Sequence, residues 1–185
     1  MLRGRKKMLV KTIFSGFGGQ GVIVMGYLLA IGGMYEEKNV TCLPSYGAEV
    51  RGGTTNCTVV ISTEEIASPV ASEPEYAVLM NNPSLFRYQN QVQSGGTIFL
   101  NSSMIESRPI RGDLEIYEIP VNDLVKQFPG NKVSNMIMLG AFIKKTGLVS
   151  LDTMTHAIKE AFSSKNSTVF KLNKSALQLG YDYLD

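Results

Sequence analysis

The 185-residue sequence predicts an α/β fold, one domain with a largely parallel sheet flanked by helices. Three observations carry that expectation. Apolar runs of strand length alternate with segments of helical periodicity. A glycine-rich turn, Gly16-Phe17-Gly18-Gly19-Gln20-Gly21, stands between the first such strand and the first such helix. The balance of 44% hydrophobic to 18% charged residues belongs to a chain that buries one substantial core.

Met8–Phe14 reads as a mostly apolar strand interrupted by Lys11. After the glycine turn, Val22, Ile23, Met25, Leu28, Leu29 and Ile31 follow at helical spacing, and Gly32-Gly33 is the expected stop signal. Asn39–Leu43 is a second strand ended by Pro44, followed by a polar, glycine-rich loop from Ser45 to Gly53. Thr54–Ile61 is β-rich, with Thr55, Cys57, Val59 and Ile61 on one face. Because no helix separates it from its predecessor, the order departs from a plain Rossmann repeat while remaining Rossmann-like. Ser68-Pro69-Val70 marks a turn and Tyr76–Met80 a short strand. Pro83 suits the first turn of a helix running to about Gln91. Thr97–Asn101 and Leu114–Ile119 are further strands; Asn122–Phe128, Asn135–Lys145, Asp152–Phe162 and Val169–Leu179 are expected helices. The whole chain, 1–185, reads as one domain, with residues 1–7 a basic N-terminal arm.

Composition excludes several function classes. The formal charge is +2, and its basic excess gathers at Arg3, Arg5, Lys6, Lys7 and Lys11, which read as a solvated arm. Basic residues interleaved with aromatics, which would bind single-stranded nucleic acid, are lacking, so no nucleic-acid partner is expected. No apolar run reaches the roughly 18 residues of a membrane span, and no apolar segment with a cleavage site follows the basic start. The chain therefore reads as soluble and cytoplasmic, with no membrane partner. Cys42 and Cys57 lack CxxC grouping and read as reduced, core-facing thiols. With 2 cysteines the chain cannot supply the thiolates an iron–sulfur cluster normally takes. His156, the 1 histidine, has no second imidazole for a metal site or triad and reads as a surface residue. Met136, Met138, Leu139 and Phe142 read as core or subunit contact.

The glycine turn has GxGxxG spacing, which brings backbone N–H groups toward an anion at a helix N-terminus. Packing of the first helix against the sheet explains the same glycines. A β-branched residue at Gly18 is expected to disrupt the turn. Dinucleotide binding further demands an acidic residue at the end of the second strand. Glu36 and Glu37 precede that strand instead, and it ends in Leu43-Pro44-Ser45-Tyr46.

The stretch from Pro44 to Thr54 sets a phenol (Tyr46), a carboxylate (Glu49) and a guanidinium (Arg51) close together before the paired Gly52 and Gly53. Arg51 has the planar fork that grips a carboxylate or phosphate, with Glu49 to orient it or to face a partner. A Glu–Arg pair that only stiffens a loop is the other reading.

Taken together, Gly16–Gly21, Ser45-Tyr46-Gly47-Ala48-Glu49-Val50-Arg51-Gly52-Gly53-Thr54 and Ser68-Pro69 resemble the gamma subunits of 2-oxoacid:ferredoxin oxidoreductases. Asn81-Asn82-Pro83-Ser84 and Gly95-Gly96-Thr97 fall where that family also has a strand end and a glycine turn. The Ser-Tyr-Gly form is closer to the 2-oxoglutarate, or broad 2-oxoacid, branch than to the indolepyruvate branch.

The resemblance implies one subunit of an enzyme that decarboxylates a 2-oxoacid to an acyl-CoA and passes electrons to ferredoxin, inactive alone. It implies thiamine diphosphate, iron–sulfur clusters and coenzyme A in the complex, none bound by this chain alone, and alpha, beta and ferredoxin-like delta subunits as partners. Tyr46, Glu49 and Arg51 become candidate active-site residues. Gly16, Gly18, Gly19, Gln20, Gly21, Ser45, Gly52 and Gly53 become candidate ligand or subunit contacts. A stand-alone oxidoreductase using NAD or flavin, and a non-enzymatic nucleotide-binding assembly module, are the alternatives.

Overall fold

A computed structural model describes residues 7–46, 54–162 and 167–185. Strand β1 (Leu9–Phe17) lies inside a six-stranded sheet of order β2-β3-β1-β4-β5-β6. On one side of it, β4 (Tyr76–Leu79), β5 (Thr97–Asn101) and β6 (Glu115–Ile119) run parallel to β1. On the other side β3 (Thr54–Ser62) is antiparallel to β1, and β2 (Asn39–Tyr46) is antiparallel to β3. The missing helix between β2 and β3 has this consequence: an antiparallel partner needs no crossover. β3 alone is reversed, so β2 points the same way as β1 but stands at the sheet edge without a parallel neighbour. Pro44 inside β2 suits that edge, since proline has no N–H for an outer partner.

Side chains alternate across the sheet with the period of two that strands impose. Phe14, Cys57, Val59, Ile61, Val78 and Phe99 enter one core, covered by α1 (Val22–Tyr35), α4 (Ser134–Thr146), α5 (Leu151–Ala161) and α6 (Ser167–Tyr183). Ile13, Ala77, Leu79, Ile98 and Leu100 enter a smaller core under α2 (Asn82–Tyr88). Phe142 of α4 is the hub of the larger core, its ring 5.6 Å from Phe14, 5.3 Å from Phe99 and 5.7 Å from Tyr76. Such aromatic pairs contribute about 0.5–1.5 kcal/mol each beyond their buried area.

Three expectations about helices change. α1 does not stop at Gly32-Gly33 but continues to Tyr35, where Lys38 N–H closes it onto the Gly33 carbonyl and Glu37 takes φ 57°. The two glycines serve close packing instead: a Cβ on Gly33 would meet Val40 at 2.9 Å, and one on Gly32 would meet Val149 at 2.7 Å. The stretch expected as a helix from Asn122 to Phe128 is a short α3 (Val121–Leu124) that tightens into a 3-10 turn at Val125–Gln127, and Phe128, the residue before Pro129, is already extended. The last helix, 17 residues, contains the expected Val169–Leu179 and extends it at both ends, mainly toward Tyr183.

Candidate functional site

The carboxyl end of β1 sets the site. Phe17 pairs with Thr54 at the start of β3, and Thr55 pairs with Tyr46 at the end of β2. Both flanks of the second motif therefore stand beside the strand end from which the glycine turn springs. Ser45 and Tyr46 are exposed there, Tyr46 at 72%. Glu49, Arg51, Gly52 and Gly53 lie outside the described residues.

Glycine is required at particular points of the turn. Gly21 caps α1 with φ 74°, a left-handed backbone, and a Cβ there would meet the Asn135 amide nitrogen at 2.5 Å. Gly16 is packed against Gln20, Met80 and Val22, with a Cβ falling 2.9 Å from Met80 Cβ. Gly18 differs from expectation. Its nearest neighbour would be Thr55 Oγ1 at 3.9 Å, and its φ lies outside the left-handed region, so a side chain there is not excluded. Gly19 has φ 95° with open space around it.

Gln20 is the structural key of the loop. Its Oε1 accepts from Phe17 N–H at 2.6 Å and from Asn81 Nδ2 at 3.2 Å, while its Nε2 donates to the Met80 carbonyl at 3.2 Å. The side chain thus folds back over Gly16 and clips the turn to the end of β4. Asn81 in turn caps α2 by accepting from Ser84 N–H at 2.9 Å, and Ser84 Oγ lies 2.9 Å from Ser15 Oγ in the buried interior. The Phe17 amide, one of the N–H groups such a turn offers to a phosphate, is spent on Gln20.

Beside the turn opens a cavity of about 550 Å³, within the size range of small-molecule sites. Its lining joins Gly19–Gly21 to residues more than a hundred positions away: Lys132, Ser134 and Asn135 at the start of α4, Phe162 after α5 and Asn173 of α6. Asn135 Nδ2 reaches the Gly21 carbonyl at 3.5 Å. The lining offers a cation, amides and an aromatic ring, which suits an anion carried on a less polar body. None of these α4–α6 residues stands in a recognisable motif; they meet the turn only through the fold. His156 is exposed, its ring 5.0 Å from Tyr35, as its sequence context implied. Among the described residues no cluster of three or more potential metal ligands occurs, and no helix is long and apolar enough to cross a membrane.

A family model described as pyruvate ferredoxin/flavodoxin oxidoreductase matches residues 11–183. The chain belongs to that family. This pyruvate ferredoxin/flavodoxin oxidoreductase family member is 32% identical over 176 residues to the ketoisovalerate oxidoreductase subunit VorA of Methanothermobacter marburgensis. That match covers 94% of the chain but 36% of the relative, so the chain spans only part of such longer proteins. It is 31% identical over 164 residues to the 2-oxoglutarate synthase subunit KorC of Methanocaldococcus jannaschii, covering 87% of the chain and 88% of KorC. Among solved structures, the family fold superposes on the keto/oxoacid ferredoxin oxidoreductase gamma subunit of Geobacter sulfurreducens with a TM-score of 0.79 and 26% identity. Coverage there is 94% of this chain and 96% of that one.

Proposed function

We infer that this chain is the gamma-type subunit of a 2-oxoacid:ferredoxin oxidoreductase, and that the rim formed by the glycine turn and the β2–β3 motif is the edge at which other subunits complete an active site. The observation that supports this most is the pairing of Phe17 with Thr54 and of Tyr46 with Thr55, which brings the turn and the flanks of the second motif to one edge. A stand-alone enzyme needs its cofactor groups within the chain. Here 2 cysteines fall short of a cluster's thiolates, and no GDG…NN thiamine motif occurs in the sequence.

In the assembled enzyme, thiamine diphosphate, iron–sulfur clusters and coenzyme A supply the decarboxylation, the electron path and the acyl acceptor. The part left to this chain is positional. Gln20 fixes the turn against β4, Gly21 starts α1, and exposed Tyr46 and the motif residues Glu49 and Arg51 offer a phenol, a carboxylate and a guanidinium to a neighbouring surface or substrate. The Ser45-Tyr46-Gly47 form is the one feature that points toward 2-oxoglutarate as substrate, since relatives of similar identity include both ketoisovalerate and 2-oxoglutarate enzymes. Cytoplasmic residence follows from that role.

The test is native mass spectrometry of the complex purified through a tag on this chain, with ferredoxin reduction assayed on the same material. Larger partner chains carrying thiamine diphosphate and iron–sulfur clusters are expected, with ferredoxin reduced by the complex and not by the chain alone. Activity of the isolated chain, or a nicotinamide nucleotide bound to it, would overturn the reading.

A further inference from the structure

Cys42 and Cys57 lie on neighbouring strands with their sulfurs 3.3 Å apart. Cys42 stands opposite Val59 and Cys57 opposite Pro44, so the pair is a cross-strand diagonal, close enough for side chains to meet. Bond formation needs an approach of little more than about 1 Å, to the roughly 2.05 Å of a disulfide. β2 is an edge strand whose ladder runs to β3 alone, while α1 packs close over Cys57 at Gly26, where a Cβ would meet the Cys57 sulfur, so the approach falls to Cys42 on the edge strand. The thiols are unequal. Cys57 is fully buried, whereas Cys42 is partly exposed. The thiol hydrogen bond between them holds Cys42 below the ordinary thiol range; that bond and burial push Cys57 up.

We propose that Cys42 and Cys57 form a peroxide-responsive thiol pair, in which Cys42 is oxidised first and Cys57 resolves it to a disulfide. The Cys42 thiolate attacks one oxygen of a hydroperoxide, the O–O bond breaks, and water or alcohol leaves after protonation, giving a sulfenic acid. The Cys57 sulfur then attacks the sulfenic sulfur, the S–O bond breaks, and its proton leaves with the oxygen as water. Two thiols are oxidised by two electrons and one peroxide is reduced. The product closes a loop from Cys42 to Cys57 containing the whole second motif, and ties the edge strand at the base of the proposed active-site rim. The pairing itself does not depend on that functional reading.

The experiment is exposure of the full chain, in the assembly in which it is isolated, to stoichiometric hydrogen peroxide, followed by non-reducing peptide mass spectrometry. Expected is an intrachain Cys42–Cys57 peptide lighter by two hydrogen atoms than the separate peptides and released by dithiothreitol. Cys57→Ser should instead leave Cys42 as a sulfenic acid captured by dimedone, and Cys42→Ser should leave Cys57 unmodified. Should Cys57→Ser fail to fold, the wild-type linkage and the inert Cys42→Ser chain still decide the matter. Two thiols remaining free after peroxide, or Cys42 passing to sulfinic acid with no linked peptide, would overturn the proposal.

Discussion

At the scale of single residues, the turn after β1 separates two kinds of glycine that look alike in a motif. Gly21 holds a left-handed backbone against the Asn135 side chain, whereas Gly18 has neither constraint. A left-handed backbone costs an L residue about 1–2 kcal/mol. Gly21→Ala is therefore expected to lower Tm by roughly 2–8 °C in a domain of this size, and Gly18→Ala to leave it within a degree or two. Thermal denaturation of the pair checks this, and equal losses would show that the turn responds as a unit. A second residue-scale consequence lies far from the site. Arg111 Nη2 is 2.5 Å from Asp113, and its guanidinium pulls the Asp113 carboxyl down to about 2. A folded-state value below the unfolded one, about 3.9, means the pair's stabilisation is present above that unfolded value. It fades as pH falls through the folded one. Carbon-detected NMR should find the Asp113 midpoint near 2 in the native chain and near the ordinary aspartate value in Arg111→Gln.

At the scale of elements, the sequence told strands and helices apart well wherever one periodicity ran uninterrupted, as in β5 and α4. It failed where a residue type carries two meanings. Gly32-Gly33 signals a helix end by composition, yet in α1 it lets the helix sit down on β2 and α5. The same double meaning hides the closest approach found at any glycine among the described residues. α4 and α6 cross at Gly140 and Gly180, where a Cβ on Gly140 would strike the Leu177 carbonyl and one on Gly180 the Ile137 carbonyl. Backbone meets backbone, so neither neighbour can rotate away. Gly180→Ala should force the helices apart at a cost of about 3 kcal/mol, at the upper end of ordinary overpacking. Hydrogen exchange would show faster exchange across Ser167–Tyr183 while β1, β4 and β5 stay protected. Uniform acceleration of the whole chain would mean instead that α6 is integral to the cooperative core. No sequence periodicity announces this crossing, because it depends on two glycines 40 positions apart meeting only after folding.

At the scale of the whole molecule, the two motifs were legible as residues but their meeting was not. The rim arises because β3 is reversed beside β1, which brings the start of β3 and the ends of β1 and β2 to one edge. The cavity lining at Lys132, Asn135 and Asn173 was invisible for the same reason: it is assembled by topology. This arrangement gives the second motif a role that can be tested apart from folding. Its flanks, Tyr46 and Thr54, are held by the β2–β3 and β1–β3 ladders, so a substitution within the loop leaves those ladders intact. If Arg51 serves the shared edge, Arg51→Ala removes a guanidinium that grips an anionic group of substrate or neighbouring subunit. Loss of such a charge-assisted contact, about 1.5–3 kcal/mol, corresponds to a fall of roughly ten- to a hundredfold in turnover by the complex or in affinity for it. The isolated variant should melt within about a degree or two of the parent, since the β2–β3 and β1–β3 ladders that hold the flanks pair other residues. Steady-state ferredoxin reduction by the reconstituted complex, with subunit titration to separate assembly from turnover, measures both. Full turnover and parental affinity would assign Arg51 to stiffening its loop through Glu49, and a lowered melting temperature would assign it to the fold.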